Sequence, residues 1–268
     1  MHIHFLDPYR SGSSAIHRLD ARVKFVLTLA FILTAAMLPV GVWPVYILLF
    51  SLALSIVILS ELGVGYVYKR SALALPFVLA ALPLVFTLPG RSLLAASMFG
   101  WAFSISQAGV ERFASIAFKS WLSVQMAIVM TASTPFPELL VAMRAIRIPR
   151  LLVAIFGLMW RYLFVFADET LRLIRARAAR SGQAERAGLK TGGSLAWRAR
   201  VAGGMAGNLF MRAFDRSDRI YMAMLARGYD GEVRSMPLNP IQPVGWVVLG
   251  AGLLLLISLL GLALLLTG

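Results

Sequence analysis

Two arginines, Arg180 and Arg227, each follow an alanine, in Ala179-Arg180-Ser181 and Ala226-Arg227-Gly228, and each stands where a predicted helix ends within one long basic stretch. A guanidinium is permanently charged and carries its donors as a planar fork, so exposed helix ends of this kind fit bidentate contacts with carboxylates in acidic grooves of a partner. One arginine at a helix C-terminus has a simpler role, complementing the dipole and the last carbonyls; only the repetition points to a partner. Asn208, Asp215 and Asp218 fall roughly on one face of the second of these helices and offer oxygen ligands for magnesium. Arg212, Arg216 and Arg219 are interleaved with them, however, and ion pairing along the helix accounts for the aspartates. No catalytic residue, cofactor or metal site is assigned. The chain has 0 cysteines, which excludes thiolate ligands. It has no Gly-x-x-x-x-Gly-Lys-Ser/Thr loop, which leaves it without a nucleotide site of that type. His2 and His4 at the N-terminus are read as incidental.

The elements that must position these arginines are set by composition. Of 268 residues, 59% are hydrophobic and 14% charged, against about a quarter charged in soluble domains, so this is a membrane chain. The net charge of +14 then reports cytoplasmic loops rather than nucleic acid as a partner. The polar start, with Asp7, Arg10, Arg18, Asp20, Arg22 and Lys24, does not read as a cleavable signal peptide, so the first apolar helix is expected to persist. Uncharged or nearly uncharged runs at 23–38, 42–60, 71–90, 113–133 and 244–266 predict five spans. The run 92–110 carries Gly100, Ser104, Ser106, Gln107 and Gly109, and it suits an external hairpin or a re-entrant loop. Between Thr134 and Pro243, seventeen Arg or Lys, from Arg144 to Arg234, face eight Asp or Glu. Five spans keep that insert inside with the basic N-terminal segment, and they put the C-terminus outside. Pro76, Pro83 and Pro89 predict a bent third span. Lys119, inside the fourth, is expected to snorkel to the interface.

The chain thus reads as an N-terminal segment with four spans (1–133), a cytoplasmic domain (134–243) and a fifth span (244–268). Within the insert, Thr134 is expected to cap a helix with Pro135 in its first turn and to end it near Ile146, before Pro149. A second helix starts at Arg150. Its apolar stripe of Leu151, Ile155, Leu158, Tyr162 and Phe166 gives way to Arg172, Arg175, Arg177 and Arg180. Gly182, Gly188, Gly192 and Gly193 mark a linker. A third helix is predicted from about Leu195 to Arg227, stopped by Gly228. Its Met205, Phe210 and Phe214, with the close-approach pair Gly203 and Gly207, are candidates for contact with another membrane subunit.

The ordered motifs Ser13-Ser14 through His17-Arg18-Leu19-Asp20 with Arg22-Val23-Lys24, Thr134-Pro135-Phe136-Pro137, Ile148-Pro149-Arg150-Leu151, Trp160-Arg161-Tyr162 and Ala226-Arg227-Gly228-Tyr229-Asp230-Gly231 cover essentially the whole chain. Together they resemble the transmembrane T component of energy-coupling factor (ECF) transporters, most closely the CbiQ branch of cobalt importers. The resemblance implies an all-α membrane protein of about five transmembrane helices, with a cytoplasmic insert of three coupling helices between the fourth and fifth. It implies a non-catalytic subunit of the bacterial inner membrane, in contact with lipid. Its expected partners are two CbiO-like ABC ATPase subunits and a CbiM-like S subunit, possibly with CbiN. Two Ala-Arg-Gly motifs end the family's coupling helices and enter the ATPases; Ala226-Arg227-Gly228 matches unchanged, whereas Ala179-Arg180-Ser181 departs at its third position. Nickel and vitamin importers use related T components, and a prenyltransferase-type membrane enzyme is the remote rival.

Overall fold

The computed structural model describes residues 8–87, 92–98, 101–180, 194–230 and 240–267. Within these the chain is helical apart from one short hairpin. It divides into two compact units, Asp7–Ala145 with Leu238–Gly268, and a second built on Ile146–Pro237.

The first unit begins with α1 (Ala15–Arg18) and α2 (Ala21–Met37), each capped by the residue type its start requires. Ser14 accepts from the His17 amide, and Asp20 accepts from the Arg22 amide. α3 (Trp43–Leu59) follows. At 17 residues each, α2 and α3 are about 25 Å long, slightly under a bilayer core, and need their flanks to cross it. The expected third span is broken rather than merely bent. It comprises α4 (Val64–Ser71), a 3-10 turn (Ala72–Ala74), α5 (Leu75–Leu79) and α6 (Leu84–Thr87), with Pro76 at the start of α5 and Pro83 just before α6. Each proline sits where its missing N–H costs least, which is why the breaks fall there.

β1 (Ser92–Met98) and β2 (Trp101–Ser106) then pair antiparallel, so the backbone of the run set aside as hairpin or loop is a hairpin. Its end is already helical: α7 (Gln107–Ser133) starts on Ser106, whose hydroxyl accepts from the Gly109 amide at 3.0 Å. α8 (Phe136–Ala145) packs on α2, and α11 (Pro243–Thr267) packs on α2 and α3.

The core lies between α2, α3, α7 and α11, built from Phe31, Ala35, Tyr46, Leu49, Leu122, Met126 and Leu256 among others. Trp121 of α7 carries much of the lateral contact: it stacks on Phe50, meets Tyr68 edge-on, and donates to Ser71 Oγ at 3.0 Å. Two lysines tie α2 to α7. Lys24 is buried and donates to the Ser133 carbonyl at 3.0 Å, while Lys119 donates to the Leu38 carbonyl and lies 5.9 Å from the Tyr46 ring. Lys119 therefore closes the carbonyl end of α2.

Thr134 does not cap α8. It ends α7 in extended conformation, and among the described residues its buried hydroxyl has no hydrogen-bond partner. The Pro135 carbonyl receives the first α8 bonds, from Glu138 and Leu139, which moves the helix start one residue on.

By length and composition, four stretches can cross a membrane: Val64–Thr87, Gln107–Ser133, Arg150–Arg180 and Pro243–Leu266, with Trp43–Leu59 apolar but shorter. The protein is an all-α multi-pass membrane protein. Gly109 is where α7 meets α6: a Cβ there would lie 2.7 and 2.8 Å from the Leu84 and Val85 carbonyl oxygens. Gly109→Ala should therefore push α6 off α7 at a cost of about 1–3 kcal/mol, read as a lower unfolding midpoint of the purified chain.

Candidate functional site

α9 (Arg150–Arg180) and α10 (Leu195–Ala226) build the second unit. α9 follows Arg147, whose φ of +62° turns the chain after α8, and its first amide bonds run to the Pro149 carbonyl. Its early apolar residues, including Leu151, Ile155 and Met159, are exposed within the unit. Ser194 caps α10 by accepting from the Trp197 amide at 3.2 Å.

The two helices pair antiparallel. Arg177 lies 5.8 Å from the Trp197 ring, Glu169 reaches Arg212 and Arg216, and Arg216 lies 5.5 Å from the Phe166 ring, so partners ascend one helix as they descend the other. The polar centre of the pair is Glu169. Its Oε1 accepts from Arg212 Nη1 at 3.0 Å and its Oε2 from Arg216 Nη2 at 3.4 Å, with the carboxylate side chain 14% exposed. The hydrogen bond from Arg212, with the positive fields of Arg216, Arg212 and Arg172, holds Glu169 below the usual carboxylate range. Beside it runs an open apolar groove of about 600 Å³, lined by Phe166, Leu173 and Ile174 of α9 and by Met205, Leu209 and Phe210 of α10.

This geometry places the sequence candidates as follows. Ala179 and Arg180 are the exposed last residues of α9. Ser181 and the four linker glycines lie outside the described residues. Ala226 ends α10 and Arg227 is its C-cap. Gly228 follows at φ +79°, with its amide on the Leu225 carbonyl at 2.9 Å and the Tyr229 amide on the Met224 carbonyl at 3.0 Å. These two bonds form a Schellman motif, in which only glycine takes the left-handed position without strain. Arg227 is thus presented, exposed, from a rigid stop.

Arg180 lies beside Trp197 near the start of α10, and Arg227 at its far end. With 32 residues in α10, about 48 Å of helix separates the two arginines.

Of the three candidate contact residues, Met205 and Phe210 line the groove against α9 and Phe214 lies outside its lining. Met205 is half-buried against α9, whereas Phe210 and Phe214 are 68% and 58% exposed. By helical spacing the two phenylalanines lie on a stripe with Gly203, Gly207, Tyr221 and Leu225. A Cβ at either glycine would meet only open space, so the Gly-x-x-x-Gly pair faces away from α9.

Sequence reasoning missed Glu169. The sign available was the acidic pair Asp168-Glu169 between Phe166 and Leu173, of which Glu169 shares a helix face with Arg172. Among the described residues, Arg212 and Arg216 form their ion pairs with it across the helices and not with Asp215 or Asp218 along α10. Among the described residues no group of three or more His, Asp or Glu is placed to hold a metal ion. His2 and His4 lie outside the described residues.

A multi-pass helical bundle with a second unit of two long basic helices defines the class, a helical membrane protein. The profile of the cobalt transport protein family CbiQ matches residues 12–238, and the chain belongs to that family. It is similar to the energy-coupling factor transporter transmembrane protein EcfT of Brevibacillus brevis, with 28% identity over 87% of each chain. It is also similar to the cobalt transport protein CbiQ of Rhodobacter capsulatus, with 26% identity over 69% of this chain and 72% of the relative. A fused cobalt transport protein CbiMQ, described as putative, of Methanocorpusculum labreanum is 25% identical over 85% of this chain and 37% of its own. The chain is therefore a T component of the EcfT/CbiQ family, a transporter subunit rather than an enzyme.

Two outcomes follow from this geometry. Gly228→Ala should cost about 1–2 kcal/mol locally, read as faster hydrogen exchange at the amides of residues 227–229. The Glu169 pairing contributes fully above the ordinary carboxylate pKa of about 4.3 and is lost as pH falls through its lowered folded value. Because Arg212 is largely exposed, Glu169→Gln should loosen the pair by at most about 1 kcal/mol and abolish that acid dependence, measured by spin-label distances between α9 and α10.

Proposed function

We propose that this T component couples ATP-driven motion of two ABC ATPase subunits to a substrate-binding S subunit in the membrane, for uptake of cobalt(II). The observation that carries this reading is the placement of Arg180 and Arg227, exposed and basic, at opposite ends of one antiparallel helix pair. Separated by about the length of α10, they cannot enter one groove together, and they match two ATPase subunits, one arginine to each. When ATP closes the ATPases, both helix ends are drawn along. The pair between them shifts, and with it the exposed stripe of Phe210 and Phe214, where the S subunit docks.

Cobalt is supported by the family's description and by the Rhodobacter relative's name; the fused Methanocorpusculum relative supports a CbiM-like S subunit. The basic excess of the insert, with Arg18, Arg22, Lys24, Lys69 and Arg70, supports a topology with the N-terminus and the coupling helices on the cytoplasmic side of the bacterial inner membrane and the C-terminus outside.

The test is gentle purification of the tagged chain from its native membranes, with mass spectrometry of whatever accompanies it. The wild type should bring an ABC ATPase and a small membrane protein. Arg180→Glu with Arg227→Glu should lose the ATPase while membrane insertion persists, and cells carrying that variant should take up less cobalt(II) with no change in nickel(II). Retention of the ATPase by the double variant would overturn the assignment of the two arginines.

A further inference from the structure

Away from the coupling helices, two arginines converge on one tyrosine at the end of the bundle where α7 finishes. The Arg10 guanidinium carbon lies 3.7 Å from the centroid of the Tyr66 ring, and that of Arg70 lies 5.8 Å from it, with Arg70 Nη1 donating to Tyr66 Oη at 2.5 Å. Arg10 is held in place by its backbone rather than by its side chain. Its N–H donates to the Ala132 carbonyl at 2.9 Å, and its own carbonyl accepts from His17 Nε2 at 3.0 Å. His17 is oriented in turn by the Ser14 hydroxyl, which lies 2.6 Å from Nδ1. This network is the structural use of the Ser14 and His17 positions in the N-terminal motif, and the coupling mechanism makes no use of it.

Two like charges gathered on one ring repel each other, and among the described residues no carboxylate forms an ion pair with either. Arg10, Lys69 and Arg70 are all exposed, and the guanidiniums keep most of their donors unused. Two forked donors flanking one tyrosine fit a phosphate. Close by in the chain, Ile58 and Leu59 at the end of α3, Val64 at the start of α4 and Leu73 in the 3-10 turn expose apolar surface on which acyl chains could lie.

We propose that Arg10 and Arg70, converging on Tyr66, form a phosphate-binding site, and that the phosphate is the headgroup of an anionic phospholipid. Such a lipid would neutralise the pair and hold the N-terminal segment against the start of α4 and the end of α7.

The test uses the full chain, purified in detergent with phosphatidylglycerol or phosphatidylcholine and weighed with its bound lipid by native mass spectrometry. Wild type should retain phosphatidylglycerol in preference to phosphatidylcholine. Arg10→Gln with Arg70→Gln should lose that preference by roughly tenfold, and Arg175→Gln with Arg219→Gln, removing two exposed arginines elsewhere, should not. Should the glutamine pair fail to fold, Arg10→Lys with Arg70→Lys keeps the charge but loses the fork, and it should retain less phosphatidylglycerol than wild type. In a separate arm, inorganic phosphate is added and thermal unfolding recorded. Stabilisation of wild type by phosphate without any lipid preference would overturn the lipid as the source and identify a free anion. Equal lipid retention by wild type and the substituted pair would overturn the site altogether.

Discussion

The bundle depends on a reciprocal tie between two antiparallel helices. Lys24, at the start of α2, donates to the last carbonyl of α7, and Lys119, on α7, donates to the carbonyl just past the end of α2. Helix C-termini carry unsatisfied carbonyls and the negative end of the dipole, and in an apolar surrounding such groups are costly to leave unpaired. Each lysine satisfies the other helix, so α2 and α7 fix one another's register at both ends. α3, α8 and α11 all pack against this frame, and the aromatic contacts of Phe118 and Trp121 with α3 depend on where α7 is held.

The second unit is built on the opposite plan. α9 and α10 share one forked ion pair, two arginine–ring contacts and an apolar groove, and no side chain of α10 is buried. Phe210, Met211, Phe214 and Met222 of α10 are exposed, the apolar surface that the proposed docking would cover. The rigid features are confined to the ends, where the Schellman stop at Gly228 fixes how Arg227 leaves α10.

Much of this was legible in the sequence. Helices and their stops follow from local chemistry: the 195–227 helix was expected within a residue, and Gly228 ends it for the reason its φ requires. The third span was legible only as bent, because the residues mark where prolines fall but not whether neighbours will hold the pieces in one line. Thr134 misled, since the same hydroxyl next to Pro135 suits an N-cap until α7 is seen to end there. What the sequence could not show was pairing between distant segments. Glu169 with Arg212 and Arg216, and Lys119 with Leu38, are separated by tens of residues and have no periodic signature. For the same reason the sequence did not separate Met205 and Phe210, which line the groove with α9, from Phe214, which does not.

The account's central claim is that the Phe210 and Phe214 stripe is covered by a membrane partner and moves when ATP is bound. Because the chain has 0 cysteines, a single Phe214→Cys gives an unambiguous probe. Its rate of modification by a bulky water-soluble maleimide would be measured on the chain alone, in the assembled transporter, and in the transporter with ATP. Protection on assembly, altered by ATP, is the predicted result. A rate that stays the same in all three states would contradict the account.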